Sequence, residues 1–292
     1  MDFLKQAKQH ERVHVDIEKP FWWDMPVWIA SRKVDSIGIA HNHMQRDGVL
    51  DNEAWGKPRD KTFYPAPQGN GRWTQAIYYH LLNCGLRIPP SAGSASGVLP
   101  NPVGYNRVYV HVEGDLTWEK WWAGLRAGRV VVTNGPMLRP LVNGERPGHV
   151  FTAYEGETVE LDIGLQLAMR EKVDYLEIVK DGEVVHEVRL DEWAKKNGEL
   201  PPIKFDRSGW LIVRAVTNSP KTYRFAATGP YYVDIAGRPR ISRKSAQFFV
   251  DWVAERTQRV KLEDETQRTA VLKYHRAARD FWEAILEKAN AD

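Results

Sequence analysis

The hydrophobic pattern of this 292-residue chain changes near residue 141, and the change limits the folds that the chain can adopt. Before that point, short apolar runs alternate with segments of helical periodicity, which is typical of an α/β layer with a mostly parallel sheet. Beyond it, short strand-like runs are separated by turn signals such as Asp181-Gly182, which is typical of an antiparallel β-sandwich. From Ser242 the pattern is helical. The sequence therefore predicts an α/β domain over 1–140, a β-sandwich over 141–240 and a C-terminal helical appendage over 241–292.

The individual elements follow from the same periodicities. Within the first domain we expect strands over 13–17, 34–40, 107–112 and 130–133, and helices over 2–11, 26–31, 74–84 and 117–127. Within the second we expect strands over 158–167, 175–180, 183–190, 210–217 and 231–235. The appendage is expected to form two helices, over 242–257 and 263–289, that cover an unpaired edge of the sheet.

Residues 86–112 are expected to form the centre of the α/β layer, as a strand, a long loop and a second strand. Loops at the carboxyl ends of strands often carry function, because the sheet fixes their roots. Ser91, Ser94 and Ser96 lie in this loop, whose small side chains would let the backbone approach a ligand closely. An ordinary surface loop has a similar composition. The glycines around Ser94 are not spaced as in a nucleophile elbow, so a serine hydrolase is not indicated.

Charge and composition argue against several classes of partner. The 41 basic and 38 acidic residues give a net charge of +3 without a basic stripe, so we expect no nucleic-acid partner. No apolar run is long enough to span a bilayer, and the N-terminal residues do not resemble a signal peptide, so we expect a soluble protein with no membrane partner. Cys84 is the single cysteine, which excludes an intrachain disulfide.

Tryptophan is unusually frequent, with 12 in the chain and the eighth already at Trp122. Such density indicates a large aromatic core, or less often a cleft lined by flat rings for sugars or aromatic ligands. Trp22 and Trp23 lie together after the first strand, and Trp73 precedes a predicted helix. The candidate substrate-binding residues are Lys19, Trp22, Trp23, Arg72, Ser91, Ser94 and Ser96.

Polar side chains follow the first two predicted strands, where parallel strands would bring them to one rim of the sheet. Glu18 follows the first strand, and His41 and His43 follow the second. Imidazole and carboxylate groups are common ligands of Zn, Mn and Fe, so these three residues are the candidate ligands of a divalent metal. A pair of unligated surface histidines is the alternative interpretation.

Four segments resemble the later part of CehA/McbA-type metallohydrolases of the PHP superfamily. They are EKPFWWDMPVWIA (18–30), VDSIGIAHNHM (34–44), GLRIPPSAGSASGVLPNPVGYNRVYV (85–110) and GLRAGRVVVTNGPML (124–138), and AATGPYYV (226–233) looks like part of the domain that follows. The resemblance covers roughly residues 1 to 240. It implies a partial PHP-like β/α barrel, of a type that holds two or three metal ions, followed by an antiparallel β-sandwich.

The resemblance carries over few of the metal ligands of that family. Lys19-Pro20 stands where the family usually has His-Pro, and a protonated lysine is a poor ligand at neutral pH. Gly93-Ser94-Ala95-Ser96 stands where the family has Gly-Ser-Asp-x-His, without the Asp or the His. The opening His-x-His strand of the family would precede Met1, so we expect the chain to begin about halfway through the barrel, and one hypothesis is that it is a fragment of a longer protein.

Two functions from different classes follow from the resemblance and the residues. The first is a metal-dependent hydrolase, whether intact, incomplete or degenerate, that cleaves an ester, carbamate or phosphoester through a metal-activated water. The second is a non-catalytic ligand-binding or carbohydrate-binding protein on a decayed hydrolase scaffold. The expected partner is a small-molecule substrate or a glycan, and a homo-oligomer is possible because a partial barrel leaves an edge strand unpaired.

Overall fold

A computed structural model of the chain describes residues 1–168 and 173–292. The helices there are α1 Asp2–Ala7, α2 Met25–Ala30, α3 Gly69–Asn83, α4 Trp118–Arg126, α5 Leu190–Lys195, α6 Arg243–Gln258 and α7 Glu265–Leu286. The strands that begin before residue 140 are β1 Asp16–Ile17, β2 Ser36–Ala40, β3 Met44–Gln45, β4 Gly48–Val49, β5 Pro90–Ala92, β6 Arg107–Val110, β7 Val130–Thr133 and β8 Met137–Val142. The later strands are β9 Val150–Ala153, β10 Val159–Leu161, β11 Ile163–Ala168, β12 Val173–Lys180, β13 Glu183–Arg189, β14 Ile203–Phe205, β15 Gly209–Thr217, β16 Phe225–Thr228 and β17 Tyr231–Ile235.

The first part of the chain forms a small parallel sheet in the order β1-β2-β5, as its sequence predicts. β5 begins only at Pro90, so Ser91 lies in this strand and not in the loop where the sequence places it. β1 is shorter than expected, because it pairs only through Asp16 and Ile17. Gly38 is the residue that lets β2 lie against the end of β1, since a Cβ atom there would come within 2.4 Å of the Glu18 carbonyl oxygen. This close approach brings the residues that follow β1 alongside those that follow β2.

A second sheet of eight strands runs in the order β13-β12-β15-β16-β7-β6, with β17 beside β15 and β9 beside β17. β6 and β7 pair antiparallel within it, so they are not the parallel neighbours that the helix between them suggests. The reason is that α4 folds the chain back beside β6, burying only Gly124 and Leu125, and does not carry it across the sheet. The hairpin predicted at Asp181-Gly182 is present between β12 and β13, with both residues at positive φ.

β15 shows how this sheet separates two regions of the core. Eight of its nine residues are buried, which is the burial expected of a strand covered on both faces. Ile212 and Val216 face a core that includes α3, α6 and α7, whereas Leu211 and Val213 face one shared with β10 and β14. The chain is thus a mixed α/β structure with several sheets, and no closed barrel occurs within the described residues. The PHP-like barrel, the β-sandwich and the division into domains stay predictions.

The C-terminal helices pack mainly on each other and on other helices. The sequence predicts instead that they cover an unpaired strand edge. The indole nitrogens of Trp252 and Trp282 donate to the carbonyl oxygens of Trp23 and Pro26, over 3.1 Å in each case. Both indoles are fully buried in the core that also contains β2 and α3. The helices are therefore part of the main core. Of the helices in the described ranges, none is both long and apolar enough to cross a bilayer.

Asp24 joins α6 and α7 to the start of α2. We expect this contact to make the free energy of unfolding depend on pH in the acid range. Arg256 Nε donates to Asp24 Oδ1 over 2.7 Å, and His275 Nε2 lies 3.6 Å from the same oxygen. Burial acts to raise the pKa of Asp24, but the nearby His275 and the hydrogen-bonded Arg256 outweigh it and lower the pKa from 3.8 to about 2. A depressed carboxyl pKa stabilises the fold above the unfolded pKa, and this contribution is lost as the pH falls from about 4 to 2.

The test compares the wild-type chain with Asp24→Asn in urea unfolding at several pH values. Since the Asp24 side chain is 35% exposed, we discount for solvent screening and expect the wild type to be more stable by about 1–2 kcal/mol at pH 7. The difference should shrink steadily as the pH falls toward 2. A difference that is independent of pH between 7 and 2 would show that the ion pair does not stabilise the fold.

Candidate functional site

The ends of β1 and β2 meet, and four of the predicted site residues lie together there. Lys19, His41 and His43 are each less than 9% exposed, and the Glu18 side chain is 32% exposed. Lys19 is close enough to both imidazoles for its charge to act on their pKa values. Glu18, Lys19, His41 and His43, which we name the strand-end cluster, therefore converge as the strand-end argument predicts, in a packed and mostly buried group.

His41 uses both of its ring nitrogens within the protein. The backbone N–H of His43 donates to His41 Nδ1 over 3.3 Å, which leaves the ring proton on Nε2. Nε2 then donates to Thr74 Oγ1 over 2.9 Å, and the Thr74 hydroxyl donates in turn to the Asn70 carbonyl oxygen on α3. Burial lowers the pKa of His41 well below its ordinary value, and the nearby His43 and Lys19 lower it further. His41 is therefore a neutral, fully hydrogen-bonded side chain.

The other three members of the cluster are only partly satisfied. Lys19 Nζ lies 2.8 Å from Glu18 Oε2 and 4.8 Å from the centre of the Trp22 ring, so its charge is balanced by a carboxylate and an aromatic face. His43 Nδ1 donates to the Asn52 carbonyl over 2.9 Å. Burial lowers the pKa of His43, and Lys19 lowers it further, so the ring is neutral and Nε2 keeps its lone pair. Glu18 Oε1 is buried without a hydrogen-bond partner within the described residues.

The serine loop reaches the cluster through an asparagine that the sequence analysis missed. Ser94 Oγ accepts from the backbone N–H of Asn106 over 2.8 Å. The Asn106 side chain donates to the carbonyl oxygens of His41 and Met44 over 2.9 and 3.1 Å. Ser94 therefore stabilises the residues after β2 indirectly, through Asn106. Ser96 is exposed to solvent. The position of Asn106 directly before a strand was the signal that could have identified it.

Ser91 belongs to a different polar group, on one face of the parallel sheet. Its hydroxyl donates to Asp16 Oδ1, as does that of Ser36, and both hydrogen bonds are short. His14 Nε2 lies 2.8 Å from Ser36 Oγ, and its ring packs on Trp122 with the ring centres 4.6 Å apart. In a nucleophilic triad the imidazole lies between the serine and the carboxylate, whereas here the carboxylate contacts the serines directly. The group fixes the three strands and does not activate a nucleophile.

The other predicted substrate-binding residues are packed in different parts of the fold. Arg259 lies over the Trp23 ring at 4.4 Å, and Trp22 packs edge-on against Trp28. Arg72 binds Gln68 on its own helix and the Tyr175 hydroxyl, over 3.1 and 3.2 Å, and so joins α3 to β12. These side chains link elements of the core, and Arg72 is not part of the strand-end cluster.

A tryptophan that the sequence analysis did not select projects from the loop beside the cluster. Trp55 is 87% exposed and has a φ of 56°, a left-handed conformation that is rare and costly for a bulky residue. Neighbouring contacts hold it there: Trp23 N–H donates to the Trp55 carbonyl over 3.4 Å, and Lys57 N–H donates to the Phe21 carbonyl over 2.7 Å. Gly56 is required next to it, since a Cβ atom there would lie 2.5 Å from the Phe21 oxygen.

Ion pairs of a buried arginine fix the same loop to the rest of the protein. The Arg59 guanidinium has no solvent exposure and forms ion pairs with Asp51 and Glu53. Asn70 Nδ2 donates to Glu53 Oε1 over 3.2 Å, which ties the loop to the start of α3. A charge-assisted network of this kind is rigid, because Arg59 and Glu53 are each held by more than one partner. Trp55 is therefore presented to solvent on a fixed backbone.

The strand-end cluster does not fit a divalent metal as it is arranged. Both ring nitrogens of His41 are occupied, and Glu18 is paired with an ammonium that would repel a cation. His43 Nε2 and Glu18 Oε1 are the ligand atoms that remain, fewer than the three protein ligands of a catalytic zinc site. Among the described residues, no group of three or more His, Cys, Asp or Glu side chains could hold a metal ion. Metal binding by Glu18, His41 and His43 stays a prediction.

Comparison of the chain with protein-family models, with curated proteins and with solved structures finds no match. The resemblance to CehA/McbA-type metallohydrolases therefore stays a prediction that rests on the sequence segments alone.

Proposed function

We propose that this protein is a non-catalytic ligand-binding protein on a metallohydrolase-like scaffold, and that it binds a glycan at Trp55. The single observation that carries the proposal is the exposed, left-handed Trp55 on its anchored loop. A strained backbone that places an aromatic ring in solvent is costly and persists only where the surrounding structure enforces it, which favours a binding role. A flat, rigid ring suits the apolar face of a sugar, because little side-chain entropy is lost on contact.

The state of the strand-end cluster supports the non-catalytic part of the proposal. A hydrolase of the metal-dependent type needs several neutral or anionic side chains that bind the metal, and a water that the metal activates. Lys19 instead supplies a fixed positive charge between Glu18 and Trp22, in a cluster whose histidines are neutral. We infer that this ammonium takes the structural place of a cation and stabilises the segment after β1, whose Phe21 and Trp23 form backbone hydrogen bonds with the loop that carries Trp55.

Tryptophan fluorescence with purified oligosaccharides tests glycan binding. We expect one of cellohexaose, chitohexaose or maltohexaose to change the wild-type emission in a saturable way. Trp55→Ala should weaken that binding at least tenfold, or about 1.4 kcal/mol, because the stacking surface is removed. Trp118→Ala is the matched control, since Trp118 is also exposed, at 64%, but lies on α4. A flat wild-type titration with all three sugars, or unchanged binding by Trp55→Ala, would contradict the proposal.

Metal-dependent hydrolysis of an ester, carbamate or phosphoester is the second candidate. It is favoured by one observation, the two unfilled ligand atoms Glu18 Oε1 and His43 Nε2. Metal analysis of the purified protein and thermal unfolding with added Zn or Mn separate the two candidates. Under our proposal we expect only traces of metal and no shift for the wild type. Stoichiometric metal that is lost in Glu18→Gln would favour the hydrolase.

A further inference from the structure

A hollow of about 370 Å³ lies at the edge of the eight-stranded sheet, away from the strand-end cluster. Its polar walls include Tyr109 on β6, His111 just after it, Arg129 just before β7, and Arg139 on β8. Arg146, in the turn after β8, completes the wall. The backbone N–H of His111 donates to the Arg129 carbonyl over 2.8 Å, so the two basic residues are held side by side. The volume lies within the range of small-molecule sites.

The charges in this hollow are of one sign. Three arginines line it, and no aspartate or glutamate does. Across residues 1–168 and 173–292, no carboxylate lies within ion-pair distance of Arg129, Arg139 or Arg146. Arg129 Nε is also buried without a hydrogen-bond partner in that part of the chain. Arg139 and Arg146 are exposed to solvent and Arg129 is partly buried, so the hollow offers a ligand positive charge that no carboxylate in its lining neutralises.

The pKa of the neighbouring His111 is lowered partly by the same positive charges. Burial lowers the pKa of His111, and the charge of Arg146 lowers it further, with a smaller effect from Arg129. Glu113 acts in the opposite direction but does not reverse the shift. The charges of Arg146 and Arg129 therefore both reach the position of His111.

We propose that this hollow is a binding site for a small molecule with two or more linked phosphate groups. Guanidinium groups bind phosphate oxygens in a bidentate manner. Three of them around one space complement a ligand with several negative charges better than they complement a ligand with a single carboxylate. Tyr109, which is 42% exposed at the rim, offers a ring and a hydroxyl to the part of the ligand beyond the phosphates. The site is separate from Trp55, so it adds an anionic ligand to the proposed glycan-binding function.

Calorimetric titration of the full chain with sodium pyrophosphate and with ATP tests the site. We expect saturable, one-to-one binding that weakens as salt is added. Arg129→Gln and Arg146→Gln should each weaken pyrophosphate binding by roughly 10-fold to 100-fold, as expected for the loss of a charge-assisted hydrogen bond. Arg238→Gln is the matched control, because Arg238 is an exposed arginine paired with Glu155 outside the hollow, and it should bind pyrophosphate as the wild type does.

Several results would overturn the proposal. They are no heat of binding with either phosphate compound, an equal loss in Arg238→Gln, or citrate binding as tightly as pyrophosphate. A single-stranded oligonucleotide binding more tightly than ATP would assign the surface to a polymer instead. Trp55→Ala should bind pyrophosphate normally, so failure of the glycan proposal and failure of this one can be told apart. Circular dichroism of each variant checks that the fold is retained.

Discussion

Replacing Trp282 with alanine should lower the free energy of unfolding by about 3–5 kcal/mol, as is typical for removal of a large buried aromatic side chain. Trp282 is fully buried on α7, stacks on Phe249 with the ring centres 4.3 Å apart, and donates its indole N–H to the Pro26 carbonyl. The cavity left behind would face three helices at once, so the surrounding side chains cannot easily fill it. Urea unfolding followed by circular dichroism measures the loss.

Trp118→Ala is the control for this prediction, because its indole is mostly exposed on α4. We expect this surface substitution to change the free energy by no more than about 0.5 kcal/mol. If Trp282→Ala also costs less than about 1 kcal/mol, α7 is not an integral part of the core, and the helices at the end of the chain are an appendage as the sequence suggests.

Replacing Glu177 with alanine should cost about 3–5 kcal/mol, because it leaves a buried guanidinium without its counter-charge. Arg214 Nε donates to Glu177 Oε2 over 2.5 Å, and both side chains are less than 10% exposed. Gln75 and Tyr79 also accept hydrogen bonds from the Arg214 guanidinium, but neither carries a charge that could balance it. The pair lies between β12, β15 and α3, so the cost would appear in global unfolding.

The double variant Glu177→Met/Arg214→Met separates the charge from the packing. Replacing both members of a buried ion pair by apolar residues of similar size is often nearly neutral. We therefore expect the double variant to recover most of the stability that Glu177→Ala loses, measured in the same urea titrations. A double variant that is less stable than Glu177→Ala would mean that the ion pair contributes net stabilisation.

The strands with clear alternation or long apolar runs could be predicted from the sequence, and those without them could not. β12, β15 and β17 lie close to their predicted ranges, because their β-branched and aromatic residues are typical of strands. β16 was missed because its four residues, FAAT, are all buried and show no alternation. The pairing of β6 was missed because strand direction depends on the path of the connecting chain, which local periodicity does not describe.

The candidate site was predictable in position but not in its chemistry. Strand ends alone indicated that Glu18, His41 and His43 would converge. The bond from His41 to Thr74 joins residues 33 apart in the sequence, and no local pattern indicates it. Trp55 was missed for a different reason: a left-handed tryptophan is imposed by contacts with Phe21, Trp23 and the Arg59 network, and the sequence shows only a loop there.

The hydrogen bond between Trp282 and Pro26 spans 256 residues of sequence, and this separation affects how the protein can be made. During synthesis, the aromatic surface around α2 leaves the ribosome long before α7 exists to cover it. For that interval the nascent chain exposes apolar side chains that attract chaperones or other unfinished chains. The synthesis of α7 therefore sets the time at which the apolar surface around α2 can be covered.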